Sequence, residues 1–405
     1  MTLTVGGTGD RRRAYLVPAG VSMVLFTVCC LVPRGGLLSG EPFVDIRHYA
    51  AFSQQMLHGK LPYRDFFFEY PPGAVPPIAL PGWISQPHYQ TLFRVEMLLF
   101  GFAAIAASFW CLRVVGSSRL RVWIAAVALG LAPLALGPVL LNGYDLWPTA
   151  LTVGAIRLLL AGRLTAAGGM IGLGAGAKAF TAALLPLAWR GRTIAAAAAG
   201  FAAVCLPALV VGPGGLRFSF WTQVKRGLHS ESLGGSLLVA FHHARLEPRP
   251  PGSLDVVGGL ASALAAVSTV VEIAAVLAVA VLALRAPRSR ETTLLAAVAA
   301  IVAVVAFGKA FSPQYLVWLV PLVPLVSLPG TVLLGAAAVI TQLWVLRVFT
   351  PFDPGGPGWI AVVRNLLIVG IYALLVRGLA RVAVTTRRTA TAPADQRTKK
   401  LGRLA

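Results

Sequence analysis

From residue 41 to residue 77 the chain reads EPFVDIRHYAAFSQQMLHGKLPYRDFFFEYPPGAVPP. Acids, bases, tyrosines and a proline cluster crowd this stretch. The run before it, Ala14 to Pro33, is apolar and long enough to span a bilayer. Ionisable groups are costly beside hydrocarbon, so a polar stretch held there points to chemistry or recognition. Outward from it, apolar runs of about 20 residues recur to the end of the chain, which predicts an all-α polytopic membrane protein. No ten-residue alternation suggests a barrel. The first run reads as a retained span, because it lacks a small-residue cleavage site and Cys29-Cys30-Leu31-Val32-Pro33 continues it.

Composition agrees. The 405 residues are 57% hydrophobic and only 12% charged, whereas a soluble domain is about 25% charged. The mean hydropathy is +0.77. The net charge of +21 gathers at loop ends and in a C-terminal tail holding Arg381, Arg387, Arg388, Arg397, Lys399, Lys400 and Arg403. Such a tail suits anionic headgroups, and no nucleic-acid partner is expected. Cys29, Cys30, Cys111 and Cys205 have neither metal-ligand nor disulfide-framework spacing.

Basic residues orient the spans. Arg11-Arg12-Arg13 place the N-terminus in the cytoplasm, so the stretch from Glu41 lies outside. This divides the chain into a cytoplasmic N-terminus (1–13), one transmembrane domain (14–380) and a basic, disordered cytoplasmic tail (381–405). External loops are expected at 34–91, with interfacial helices, and at 212–255. Between Arg163 and Arg190 lie 26 residues with basic groups at both ends. Two full crossings need about 40 residues, so a pair of short, partly inserted helices turning near Gly174–Lys178 is expected, with Lys178 in a cavity. Counting that pair gives about 12 membrane helices, both termini inside, in a plasma membrane protein whose site is extracytoplasmic.

This topology sends many polar groups to one side. Asp45 can act as a general base toward a hydroxyl, or as a helix cap. His48, Glu69 and Tyr70 are candidates for sugar or acceptor binding; the paired prolines after Tyr70 fix a turn. Asp145, in NGYDLWP, reads equally as a cap or as a second acid that binds sugar hydroxyls or a metal. Lys178, Lys225, Arg226, His229 and Lys309 are cations suited to a phosphate. Glu231, in HSES, and Gln314 and Tyr315, after Pro313, complete the candidate set. Pro313 fits the first turn of a helix whose amides face an anion. His242 and His243 are adjacent, a weak metal pattern, and Asp353 falls on the same external face.

Together YAAFSQQMLHGKLPYRDFFFEYPP, NGYDLWP, GLGAGAKAF, RGLHSESLGGS and KAFSPQYLVWLVP resemble glycosyltransferase family 87, over about residues 11–377. The resemblance implies a GT-C type fold and transfer of mannose from polyprenyl-phosphate-mannose. The acceptor would be a lipid- or envelope-linked glycan, and an acid in the first external loop, here Asp45, would be the base. The paired acids common in that class are absent, since Ile46, Arg47 and His48 follow Asp45. Neither metal nor cofactor is therefore expected. Two rivals are a lipid or sugar transporter, which predicts matched broken helices in two halves, and the same enzyme class with an arabinofuranosyl donor.

Overall fold

The computed structural model describes residues 8–32, 37, 45–249, 253–348 and 358–391. Helix α1 (Thr8–Cys30) precedes α2 (Asp45–Leu57). After a 3-10 turn at Pro72–Ala74, α3 (Val75–Ser85) and α4 (Tyr89–Val115) follow, then α5 (Arg119–Leu136), α6 (Val139–Asn142) and α7 (Leu146–Leu160). Gly116 ends α4 in the left-handed region (φ 76°), where its amide reaches Leu112 and Arg113 carbonyls. Ser118 then caps α5 by accepting from the Arg121 amide.

Helix α8 (Leu164–Ala177) stops at Lys178, whose backbone is extended, and a 3-10 helix (Ala179–Ala188) follows. The glycine-rich sequence thus gives two short helical pieces broken at the lysine. Helix α9 (Gly191–Val211) lies along α8 at very short range. A Cβ on Gly168, Gly172 or Gly200 would collide with the facing backbone at Thr193, Ala197 and Gly169.

Next comes α10 (Pro213–Val224). Beyond it β1 (Leu228–His229), α11 (Leu233–Ala240), β2 (Arg245–Arg249) and β3 (Ser253–Val257) form a small module. Its sheet is antiparallel in the order β1-β3-β2, with Leu228 and Leu246 both opposite Val256. The predicted loop 212–255 is therefore folded, and the all-α expectation missed this sheet. Its strands are two to five residues long, too short for alternation to register.

Helices α12 (Gly259–Arg285) and α13 (Arg290–Phe307) lead to α14 (Tyr315–Leu319), α15 (Val323–Val326), α16 (Leu328–Val348) and α17 (Gly358–Thr391). Residues 296–303 of α13, nearly all Ala and Val, are buried and form the centre of the core. The helix expected from Pro313 begins instead at Tyr315 and breaks between α14 and α15, where Pro321 and Pro324 interrupt it. A five-residue α14 makes no anion site of its own. Helix α17 continues to Thr391, into the tail expected to be disordered from residue 381. Asp353 and residues 392–405 lie outside the described residues.

Among the described residues, seven helices are long and apolar enough to cross a membrane, and five shorter apolar helical segments accompany them. The chain is a mostly helical, multi-pass membrane protein.

Candidate active site

Five segments meet at one end of the helices. Asp45 is the first residue of α2. Glu69 and Tyr70 precede the Pro71-Pro72 turn, whose Gly73 packs directly on the Ala177 backbone. Tyr144 and Asp145 lie at the bend between α6 and α7, Lys178 at the break after α8, and Gln314, Tyr315 and Trp318 at the start of α14. Trp147 Nε1 donates to the Gly73 carbonyl at 3.0 Å, and the Tyr144 hydroxyl to that of Ala177 at 3.2 Å. These bonds join three of the segments.

Asp145 stands at a helix start, but its side chain makes no cap. Its Oδ1 accepts from Lys178 Nζ at 2.6 Å and from Trp318 Nε1 at 2.7 Å. The carboxylate is fully buried, and Oδ2 has no hydrogen-bond partner among the described residues. A buried acceptor with spare capacity is costly unless something supplies a donor. Lys178 Nζ lies 4.9 Å from the Tyr144 ring, 5.4 Å from Tyr315 and 5.3 Å from Trp318. Trp318 is stacked between Phe180 (3.9 Å) and Tyr315 (4.1 Å), so its N–H is rigidly aimed.

Asp45 is half-buried. The Tyr49 hydroxyl and Gln314 Nε2 both approach its Oδ2 at 3.4 Å, long contacts that leave the carboxylate loosely held. Ser312 donates to the Gln314 amide oxygen, which turns the amide N–H toward Asp45. Burial, reinforced by the charge of Asp145, pushes the Asp45 carboxyl up to about 7; Lys178 opposes the shift. Such a group is poised to take a proton near neutral pH.

Glu69 is also raised, by burial, against a bond from Tyr70 and the charges of Arg226, His48 and Lys178. Tyr49, Tyr70 and Tyr144 form a triangle of rings 5.3–5.9 Å apart. Burial holds all three phenols well above their ordinary range, so each remains a hydroxyl. Asp45, Glu69, Tyr70, Asp145, Lys178, Gln314 and Tyr315 thus come together, with His48 and Arg226 within electrostatic reach.

The five predicted cations meet different partners. Lys178 is engaged by Asp145. Lys225 is exposed and lies 4.9 Å over the Trp221 ring. Lys309 Nζ donates to the Val224 carbonyl at 2.8 Å. His229 is buried, and burial together with Arg226 and Arg364 holds its imidazole neutral.

Glu231 belongs to another cluster. Its Oε2 accepts from Arg364 Nη1 at 3.0 Å, and its carbonyl accepts from Arg364 Nη2 at 2.7 Å and Asn365 Nδ2 at 3.0 Å. Arg364 is fully buried with its guanidinium 3.9 Å over Phe311. Glu231 is therefore tied to α17 through Arg364 and Asn365. Among the described residues no three His, Cys, Asp or Glu side chains gather as a metal site.

Sequence reading passed over Tyr49, Tyr144, Trp318 and Arg364. Trp318 carried a signal, three residues after Tyr315 and so on the same helix face. Arg364 carried another, as a lone cation inside IAVVRNLLIV. No curated protein matches the chain. A family model described as "Glycosyltransferase family 87" matches residues 67–313, well over half the chain, and covers three of the five segments above; Asp45 and the Gln314–Trp318 segment lie outside the match. On that match this multi-pass membrane protein belongs to glycosyltransferase family 87.

Proposed function

We propose that the protein transfers mannose from a polyprenyl-phosphate donor to a hydroxyl of a lipid- or envelope-linked glycan, at the outer face of the plasma membrane, within a GT-C type fold. Family membership makes it a membrane glycosyltransferase and sets the transporter reading aside. The observation that carries the finer reading is the Asp45 carboxylate, loosely bonded and raised to about 7 beside Asp145, Glu69 and Lys178.

Asp45 takes the proton of the acceptor hydroxyl as that oxygen bonds to the anomeric carbon. The bond from that carbon to the phosphate oxygen breaks on the opposite face, and its electron pair leaves with the phosphate. Configuration inverts, so a β-linked donor gives an α product. The phosphate gains negative charge as it departs. Lys178 and Arg226, which both act on Glu69, are the cations best placed to stabilise it. Asp145 Oδ2, buried with an open lone pair, suits a sugar hydroxyl. No step requires a metal.

The test is incubation of the reconstituted protein with labelled polyprenyl-phosphate-mannose and a membrane extract as acceptor. Transfer by the wild type and its loss in Asp45→Asn are expected. Transfer at an unchanged rate in Asp45→Asn would remove the base assignment. Transfer only from an arabinofuranosyl donor would replace the sugar.

A further inference from the structure

Helix α10 joins two walls of the site while presenting its other face outward. On its inner side Ser219 Oγ donates to the Glu69 carbonyl at 3.1 Å, and Gln223 Nε2 donates to the same oxygen at 3.2 Å. Gly215 lies against the Tyr63 carbonyl so closely that no Cβ would fit. At its C-terminal end the Val224 carbonyl accepts from Lys309, which leads into the Gln314 segment. The helix therefore braces the Glu69–Tyr70 segment against the wall that bears Gln314.

Its outer face carries Arg217, Phe218, Phe220, Trp221, Val224 and Lys225, all exposed. Phe218 and Trp221 are each 55% exposed and Val224 67%. Residues 217, 220, 221 and 224 share a side by helical spacing. Large aromatics interleaved with cations suit neither bulk water nor hydrocarbon; they suit the headgroup layer. Position agrees: α10 follows the membrane-crossing α9 after a single residue, Gly212, so its first turn lies where the bilayer ends.

We propose that α10 is seated on the bilayer surface, with Phe218 and Trp221 among the upper acyl chains and Arg217 and Lys225 on anionic lipid phosphates. The partner is a negatively charged lipid surface, and the seated helix fixes the height of the Glu69–Tyr70 wall above the membrane. This goes beyond the assignment of donor, acceptor and base, and its test needs no turnover, so the two readings fail separately.

The full chain is reconstituted in phosphatidylcholine–phosphatidylglycerol vesicles. Emission from Trp221 is isolated as the difference between wild type and Trp221→Phe. Quenching by lipids brominated high on the acyl chain is expected, with little quenching by aqueous iodide. At equal total bromine, brominated phosphatidylglycerol should quench severalfold more than brominated phosphatidylcholine. That preference should disappear in Arg217→Ala/Lys225→Ala, whose exposed side chains can be removed without disturbing the core. Iodide quenching equal to that of free tryptophan would overturn the seating. Equal quenching by the two brominated lipids would overturn the anionic partner. Should Trp221→Phe misfold, a Phe218→Cys variant carrying a bimane label, with the four native cysteines replaced, reads the same depth.

Discussion

Two ionic clusters built from similar residues behave in opposite ways. Around Arg364 each guanidinium nitrogen is satisfied: Glu231 supplies carboxylate and carbonyl, Asn365 accepts from Nε, and Phe311 covers the guanidinium. Around Asp145 and Lys178 capacity is left over. Asp145 Oδ2 has no described partner, and Asp45 is held only by two 3.4 Å contacts. Both clusters cost desolvation. The first returns it as rigidity, tying the HSES turn to α17; the second stays incomplete until a substrate fills it. Spare hydrogen-bonding capacity, more than charge alone, separates a reactive cluster from a structural one.

That contrast can be broken most sharply at Asp45. Asp45→Asn is expected to lower transfer by about 10²–10⁴-fold, as loss of a general base does, with an unchanged melting temperature. A melting temperature that falls along with activity would make Asp45 a structural group like Glu231.

The Arg364 cluster predicts the reverse pattern. Glu231→Ala leaves a guanidinium buried without its carboxylate and should cost about 3–5 kcal/mol, read by thermal unfolding in detergent. Replacing both partners by leucine should recover part of that loss; no recovery would mean the pair is not what holds the turn.

At Trp318, Phe keeps the stack between Phe180 and Tyr315 but removes the N–H on Asp145. A loss of about 1.5–3 kcal/mol is expected, the scale of a hydrogen bond to a charged group, again by unfolding. A neutral substitution would show that Lys178 alone holds Asp145.

The pH profile sharpens the comparison further. Asp45 must be ionised to act, so transfer should rise with pH through about 7. Asp145→Asn removes a like charge that raises this group and should move the midpoint down; Lys178→Met removes an opposing charge and should move it up. A profile that ignores both changes would uncouple Asp45 from the pair. The smallest effect belongs to Lys225→Ala, within about 0.5 kcal/mol of wild-type stability because its side chain is exposed.

Much of this was legible in the sequence. Run length gave the membrane class, and basic ends with a glycine-rich middle located the break at Lys178. Polar motifs standing against an apolar background pointed to Asp45, Asp145 and Gln314. The pairings were not legible. Whether Asp145 caps a helix or grips a lysine depends on which side chain lies 2.6 Å away, 33 residues along the chain. The cations looked alike as letters, yet Lys178 meets a carboxylate and Lys225 an indole face. The sheet of β1 to β3 escaped because strands this short have no periodicity to detect, and Arg364 because one charge in an apolar run reveals no partner.

The contact between Gly73 and the Ala177 backbone limits how this pocket can be redesigned. A methyl at residue 73 would come within 2.7 Å of the Ala177 nitrogen, so two main chains meet there with nothing between them. The spacing of the tyrosine-bearing turn and the lysine is thus fixed by bare peptide thickness. Efforts to widen substrate scope would have to reshape ring faces such as Tyr70 or Tyr144, because the joint beneath them offers no side chain to trim.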